Sequence, residues 1–258
     1  MQTATRVLGI ERPMREEDDI LYAIDPIDAH NWLDAQEYDA HHAVDIEGSH
    51  HLADVYVRYA PGTKDLSVLE VGCGSGNLTI GLDANKRVKK LVACDISRQM
   101  LTLTRDRLPS YPNAKTSLVC ADISDQALFS EGAFDAAFGN SLLHHIYDYE
   151  QFLLALKHTI RPGGVIVFSE PCQQGKSLIS FLCAMLMQLD ALSDDPVFSA
   201  HDCVMIQALL DINRREVDVR HDQSLKLQWE DKHCFDTKAL ADMAHDLAVC
   251  RTGVIQTV

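Results

Sequence analysis

Between residues 68 and 80 the chain reads Val68-Leu69-Glu70-Val71-Gly72-Cys73-Gly74-Ser75-Gly76-Asn77-Leu78-Thr79-Ile80, and no other stretch limits the accessible folds so sharply. An apolar run passes into glycines on alternate positions and then into a helical opening. Glycine takes positive φ without strain and lets a ligand approach the main chain closely. A strand, a glycine turn and a helix in that order open a βαβ unit, which predicts a parallel sheet with helices on both faces. The next 100 residues keep the same rhythm. Strands are expected near Ser67–Val71, Lys90–Asp95, Thr116–Ala121, Phe134–Gly139 and Val165–Glu170. Between the last two, Tyr149, Phe152, Leu153, Leu156 and Ile160 recur at the spacing of a helix with one buried face, which Arg161-Pro162-Gly163-Gly164 ends. Ser97 is placed to cap the helix that carries Met100, Leu101 and Leu108.

The fold class expected is therefore α/β: a Rossmann-like, doubly wound, mainly parallel sheet, with an N-terminal helical cap and a helical insertion after the fifth strand. The 258 residues are expected to form one domain. Its parts are a cap at 1–66, a ligand-binding core at 67–171, a helical lid insertion at 172–232, and a helix and strand at 233–258. Leu240, Met243, Ala244 and Leu247 predict that last helix, and Val249–Val258 the strand. Within the insertion, the apolar stretch Leu178–Leu192 is broken by Ser180, Gln188 and Asp190 and is too short to span a bilayer. It is expected to be a core or dimer-interface helix, the alternative being a lid over an apolar substrate. A second helical pattern runs through 201–215.

Charge excludes several partners. Lys plus Arg is 23 against 38 Asp plus Glu, a net −15, whereas nucleic-acid binding draws most of its affinity from basic residues on phosphates. No nucleic acid and no membrane is expected as a partner. The stretch Met1–Asp19 is polar and charged, unlike a signal peptide. Eight cysteines show no zinc-type spacing, which suits free thiols in the cytoplasm. No metal is expected: the pairs His41-His42 and His50-His51 lack an evident carboxylate cluster and read as solvated.

The glycine loop decides between two cofactor classes. A dinucleotide loop reads GxGxxG, with the pyrophosphate at the helix N-terminus. Here the glycines fall as GxGxG, Asn77 stands at the third dinucleotide position, and Glu70 precedes the loop. A carboxylate suits a cationic ligand better than a pyrophosphate. S-adenosyl-L-methionine has no phosphate and carries an ammonium and a sulfonium, so charge favours it over NAD.

From about Tyr38 to Glu170 the sequence resembles the class I S-adenosylmethionine-dependent methyltransferases of the small-molecule type. ExGxGxG is matched by Glu70, Gly72, Gly74 and Gly76; the acidic end of the second strand by Asp95 in Ala93-Cys94-Asp95-Ile96-Ser97; the third-strand motif by Cys120-Ala121-Asp122-Ile123. The fourth is Phe134 to Ser141, running into Leu142-Leu143-His144-His145-Ile146, and the fifth is Arg161-Pro162-Gly163-Gly164. The resemblance implies that Glu70, Gly72, Cys73, Gly74 and Gly76 form the cofactor loop. It implies that Asp95 accepts from both ribose hydroxyls and Asp122 from the adenine amino group, that Ile96 and Ile123 enclose the ring, and that Asn140 lies near the methionine moiety. S-adenosyl-L-homocysteine would be the product. Cys73, Cys94 and Cys120 are expected to pack as small hydrophobes around the cofactor.

Methyl transfer from a sulfonium needs alignment of a nucleophile above all. A hydroxyl or ammonium acceptor also needs a base, and His144 or His145 is the candidate; a structural hydrogen bond is the alternative for each. The expected reaction is methylation of an oxygen or nitrogen of a small molecule. Cyclisation of the cofactor with release of methylthioadenosine, and a non-catalytic cofactor-binding subunit, stay open. The family's sheet has seven strands, the last two antiparallel at the C-terminus, where this chain offers one candidate. The missing strand comes from 217–229, is absent, or was lost with a truncated end; a bare sheet edge would favour a homodimer.

Overall fold

The computed structural model describes residues 9–10, 14–25, 35–123, 128–217 and 233–246. The chain divides into two compact units: Met1–Leu142 with Asp148–Phe168, and Leu143–Tyr147 with Ser169–Val258.

The first unit is built on the sheet. Strands β3 (Leu66–Val71), β4 (Val88–Asp95), β5 (Thr116–Cys120) and β6 (Phe134–Asn140) appear close to where apolar, β-branched runs predict them. They pair in parallel, β5 with β4, β4 with β3 and β3 with β6. The sheet order is β1-β2-β5-β4-β3-β6-β7, with β1 spanning Arg15–Glu17, β2 Ile20–Tyr22 and β7 Ile160–Ser169. The chain thus moves outward from β3 through β4 to β5, then returns to the other side of β3 as β6. That reversal opens a crevice at the carboxyl ends of β3 and its neighbours, the usual ligand position of such sheets.

Helices cover both faces. On one, α2 (Ile46–Val57) and α3 (Thr79–Ala84) bury Ala53, Tyr56, Val57, Leu78 and Leu82 against Val68, Leu91, Ala136 and Phe138. On the other, α4 (Arg98–Arg107) brings Leu101, followed by Leu108, onto Ala93, Leu118 and Cys120. The Ser97 hydroxyl accepts from the Met100 N–H at 3.4 Å, the expected cap. Asp45 caps α2 through the Gly48 N–H at 2.7 Å, and Asp148 caps α5 (Tyr149–Thr159) through the Gln151 N–H at 3.1 Å. Instead of forming a separate turn, Arg161–Gly164 lies within β7, with Gly163 at φ +79°.

The N-terminal region supplies α1 (Ala35–His42) and α2 as helices, and also a hairpin that periodicity does not announce. β1 (Arg15–Glu17) pairs antiparallel with β2 (Ile20–Tyr22), and β2 joins β5 in parallel. Glu17 faces Ile20 across a two-residue turn in which Asp18 and Asp19 take φ 52° and 62°, the positive values that a tight hairpin of this hand requires. Three-residue strands are too short for alternation to register, and β1 is wholly charged, which suits a sheet edge. The hairpin extends the sheet to seven strands from the N-terminal side. The strand expected at Val249–Val258, and its alternative in 217–229 beyond Val217, lie outside the described residues.

The second unit contains a 3₁₀ turn at Leu143–His145 and helices α6 (Gln173–Ala191), α7 (Ala200–Val217) and α8 (Thr237–Asp246). Helices α6 and α7 pack together, with the buried Asn213 amide donating to Ser180 Oγ at 3.0 Å. The Cys172 thiol sulfur caps α6, accepting from the Gly175 N–H at 3.3 Å, and the main chain of Phe235 exchanges hydrogen bonds with Pro171 and Gln173. Among the described residues no helix is long and apolar enough to cross a membrane.

Candidate functional site

The glycine turn leaves β3 at the carboxyl edge of the sheet. Gly72, Gly74 and Gly76 take φ of +64°, +54° and +89°, values that disfavour any side chain. Their surroundings differ. A Cβ at Gly72 would lie 2.6 Å from Leu142, whose side chain would have to shift, and one at Gly76 3.0 Å from Thr104, a tight contact. At Gly74 a Cβ would meet nothing within 4 Å. The middle of the turn is therefore open, a cradle that only the missing side chain keeps clear.

Neighbouring strands fix the turn. The Cys73 N–H donates to Cys94 O at 2.9 Å, and the Gly74 N–H to Asp95 Oδ2 at 2.9 Å. Asp95 Oδ1 also accepts from the Ser97 N–H at 2.9 Å. Burial raises the Asp95 carboxyl above its usual range, and the N–H groups of Ser97, Gly74 and Ile96 counter part of that rise. The Asp95 main-chain carbonyl holds the Ala121 N–H at 3.0 Å, which brings Asp122 and Ile123 to the same edge as Asp95 and Ile96. Behind the turn, the Thr104 hydroxyl donates to Gly74 O at 2.7 Å and Arg107 Nη1 to Ser75 O at 2.8 Å.

Glu70 is the unusual group. It is 2% exposed, and its Oε2 completes no hydrogen bond. Burial pushes its carboxyl up to about 8, an effect the Thr79 hydroxyl opposes and Asp95 reinforces. Thr79 Oγ1 lies near enough to act on that charge but also completes no hydrogen bond. A buried carboxyl with an unpartnered oxygen is costly, and a cationic ligand would relieve it. Cys73 and Cys94 are buried too, and burial raises both thiols, with Asp95 adding to it. They are neutral hydrophobes.

Asn140 ends β6. The Tyr56 hydroxyl lies 2.9 Å from Gly139 O and 3.1 Å from Asn140 Oδ1, which anchors α2 to this strand end. Ser141 follows at φ 53°, a left-handed residue at the sheet edge.

His144 and His145 belong to the second unit. Their rings lie 4.0 Å apart at 49°. His144 is 7% exposed, and its Nδ1 is 2.6 Å from Glu170 Oε2. Glu170 also accepts from the Leu143 N–H at 2.7 Å. An Nδ1–H donated to a carboxylate leaves the lone pair on Nε2, the tautomer of an oriented base.

The first unit thus gathers the loop residues, Asp95, Ile96, Asp122, Ile123 and Asn140 along the carboxyl ends of four strands. Glu170, Thr104, Arg107 and Tyr56 were not marked by the sequence motifs. Thr104 and Arg107 stand at i and i+3 on the helix after β4, a spacing that puts them on one face. Glu170 is the first residue past a strand, like Asp95 at its strand end. Among the described residues no group of three His, Cys, Asp or Glu is placed to hold a metal.

Residues 69–168 match a family model described as a methyltransferase domain. The malonyl-[acyl-carrier protein] O-methyltransferase of Salmonella typhimurium is 31% identical over 139 residues, 54% of this chain and 51% of that protein. The trans-aconitate 2-methyltransferase of Variovorax paradoxus is 32% identical over 104 residues, 40% of this chain and 38% of that one. This chain spans about half or less of these relatives' length. A solved S-adenosylmethionine-dependent methyltransferase from Mesorhizobium loti aligns with TM-score 0.42 and 22% identity, covering 50% of this chain and 56% of that one.

Proposed function

We propose, from the premise that this chain belongs to the class I S-adenosylmethionine-dependent methyltransferases, that it transfers a methyl group to an oxygen or nitrogen of a small molecule. The cofactor, when bound, supplies a methyl group already activated on a sulfonium. The observation that carries this reading is the open cradle at Gly74, tied to Asp95 and backed by the unpartnered Glu70 oxygen.

The chain's residues fit that cofactor. Gly74 leaves room for a ligand against the main chain, and Glu70 suits its cationic groups. Each carboxylate has about four lone-pair sites, so Asp95 can accept ribose hydroxyls beyond its main-chain bonds. Asp122 is assigned to the adenine amino group, with Ile96 and Ile123 against the ring, and Asn140 to the methionine moiety. His144, oriented by Glu170, is assigned as the base that takes the acceptor's proton; His145 is the alternative. The name of the Salmonella typhimurium relative supports an oxygen acceptor, which is the form of the proposal we favour.

The reading extends to a cytoplasmic protein, supported by seven free thiols among the described residues. It also includes a homodimer, supported by the exposed Leu178, Phe181 and Leu189 of α6. Sedimentation tests the latter.

The deciding experiment is thermal unfolding with S-adenosylmethionine, S-adenosylhomocysteine and NAD in excess. A ligand at one hundred times its dissociation constant stabilises by about 2.7 kcal/mol, a shift of several degrees at this size. Stabilisation by both adenosyl ligands and not by NAD is expected, and stabilisation by NAD alone overturns the reading. Turnover must then yield S-adenosylhomocysteine; methylthioadenosine would instead mark a cyclisation.

A further inference from the structure

Helix α1 lies on the glycine turn with almost no apolar burial to keep it there. Of its residues only Ala35 is buried, and the segment that follows, Ala43 to Asp45, is exposed. A polar cluster centred on two residues ties its end to the turn. Arg107 Nη1 lies 2.8 Å from Ser75 O, 3.1 Å from Asn77 Oδ1 and 3.2 Å from Asp39 Oδ1. Its Nη2 donates to Val44 O at 2.7 Å. The Asn77 amide donates to His42 O at 2.9 Å, and its Oδ1 accepts from the Val44 N–H at 3.1 Å. Arg107 and Asn77 therefore bridge the end of α1, through His42 and Val44, to Ser75 and Asn77 of the glycine turn. On the same helix, Tyr38 stacks on His42 at 4.2 Å and 16°.

The far side of this segment is packed into the core. Asp45 caps α2, whose Ala53, Tyr56 and Val57 are in the core, and a Cβ on Gly81 of α3 would meet the Ser49 carbonyl at 2.0 Å, so the two helices touch through their backbones. One end of the connection is fixed by packing, and the other is tied to the turn by the Arg107–Asn77 cluster. An element held by exposed polar bonds opens at a lower free energy than the core around it. The cluster grips the residues next to Gly74, where the turn is open. A ligand seated there has α1 beside it for as long as the cluster holds.

We propose that Arg107 and Asn77 are positioning residues that latch α1 to the glycine turn and so set how long the adenosyl cofactor stays bound. The proposal rests on the cofactor reading above and adds the group that governs retention. It also gives a reason for Asn77 at the position where a dinucleotide loop has glycine: a glycine would have no amide to reach His42 and Val44.

The test uses the full chain with S-adenosylhomocysteine as probe, in stopped-flow displacement at a temperature well below unfolding. Asn77→Ala and Arg107→Ala are each expected to raise the dissociation rate about tenfold with little change in the association rate, the usual signature of lost contacts around a bound partner. Arg107→Lys keeps the charge but loses the planar fork, and should fall close to Arg107→Ala. Arg87→Ala is the control for general destabilisation. Arg87 bonds Val57 O at 2.7 Å and Ala60 O at 3.0 Å at the opposite end of β4, so it should lower the melting temperature and leave the dissociation rate alone. Hydrogen exchange supplies a second readout. The Val44 amide should exchange faster in Asn77→Ala, and the bound probe should protect it in the parent chain only.

Unchanged dissociation rates in both alanine variants overturn the latch while leaving the cofactor reading intact. A rise in Arg87→Ala equal to theirs also overturns it, because the effect would then be loss of stability. If the parent chain binds neither adenosyl ligand, the cofactor reading falls and takes the proposal with it.

Discussion

The main-chain N–H of Gly74 donates to Asp95 Oδ2 at 2.9 Å, joining the open point of the glycine turn to the carboxylate at the end of the adjacent strand. Neither residue is placed by the other's local sequence. Parallel pairing of β3 with β4, Val71 opposite Cys94, brings them to the same sheet edge. The bond holds the turn in shape before any ligand arrives, which reduces the ordering cost of binding.

Asp95→Ala should weaken S-adenosylhomocysteine binding by about 10–100-fold, the worth of one or two hydrogen bonds to a charged group. Titration calorimetry measures it. Asp95→Asn keeps one acceptor oxygen and should lose less. Equal affinity in Asp95→Ala and the parent would remove Asp95 from the cofactor site.

Gly72→Ala and Gly74→Ala should fail in different ways. Both force a side chain into positive φ, at about 1–2 kcal/mol. Gly72→Ala also drives a methyl group against Leu142, 2.6 Å away, and should cost about 1–3 kcal/mol more from overpacking. Gly74→Ala meets nothing, so its fold should survive while cofactor binding is lost. Denaturant unfolding and calorimetry on both variants separate the two effects.

Glu70 makes the fold sensitive to alkali. Its carboxyl is pushed up to about 8 from an unfolded value near 4.5, so between these limits the folded state holds a proton that the unfolded state has released. Its contribution to stability is then full below about 4.5 and declines as pH rises through 8. Within that window the slope approaches about 1.4 kcal/mol per pH unit. Glu70→Gln should flatten the decline in melting temperature between pH 5 and 8 and be the more stable protein at pH 8. Parallel pH profiles for the two proteins would refute this.

Glu170 should be needed for the orientation of His144. Glu170→Ala leaves the buried Leu143 N–H without its 2.7 Å acceptor and His144 Nδ1 without its 2.6 Å partner, a loss of about 2–4 kcal/mol from unsatisfied buried groups. Glu170→Gln retains an acceptor and should fold. In nitrogen-15 spectra the parent should show His144 as the Nδ1–H tautomer, and Glu170→Ala a mixture. If the tautomer is unchanged in both variants, Glu170 does not position the ring.

How much of this was legible in the sequence varies with the range of the interaction. The loop, the strand ends and the helix caps are local. Gly72 to Gly76, Asp95 and Ser97 announce themselves because backbone conformation and capping depend on residues a few positions apart. The pattern 68–80 also fixed the fold class, since a strand, glycine turn and helix repeated along the chain permit little besides a parallel sheet with helices on its faces.

Other features depend on which residues the fold brings together. The hairpin Arg15–Tyr22 is too short and too charged to show a period, and it is a strand pair only because β5 offers an edge to β2. Arg107 reads as one more charged residue in the last turn of a helix until packing sets it against Ser75, Asn77 and Val44. Glu70 is acidic in any reading, but its protonation follows from burial between Ala93 and Phe138, its partners on the strands either side. Sequence alone determined the backbone's local conformations and the order of its elements, because those depend on neighbours along the chain. Tertiary structure decided which charges lose water and which side chains meet across 30 or more residues, because desolvation and contact depend on distance in space.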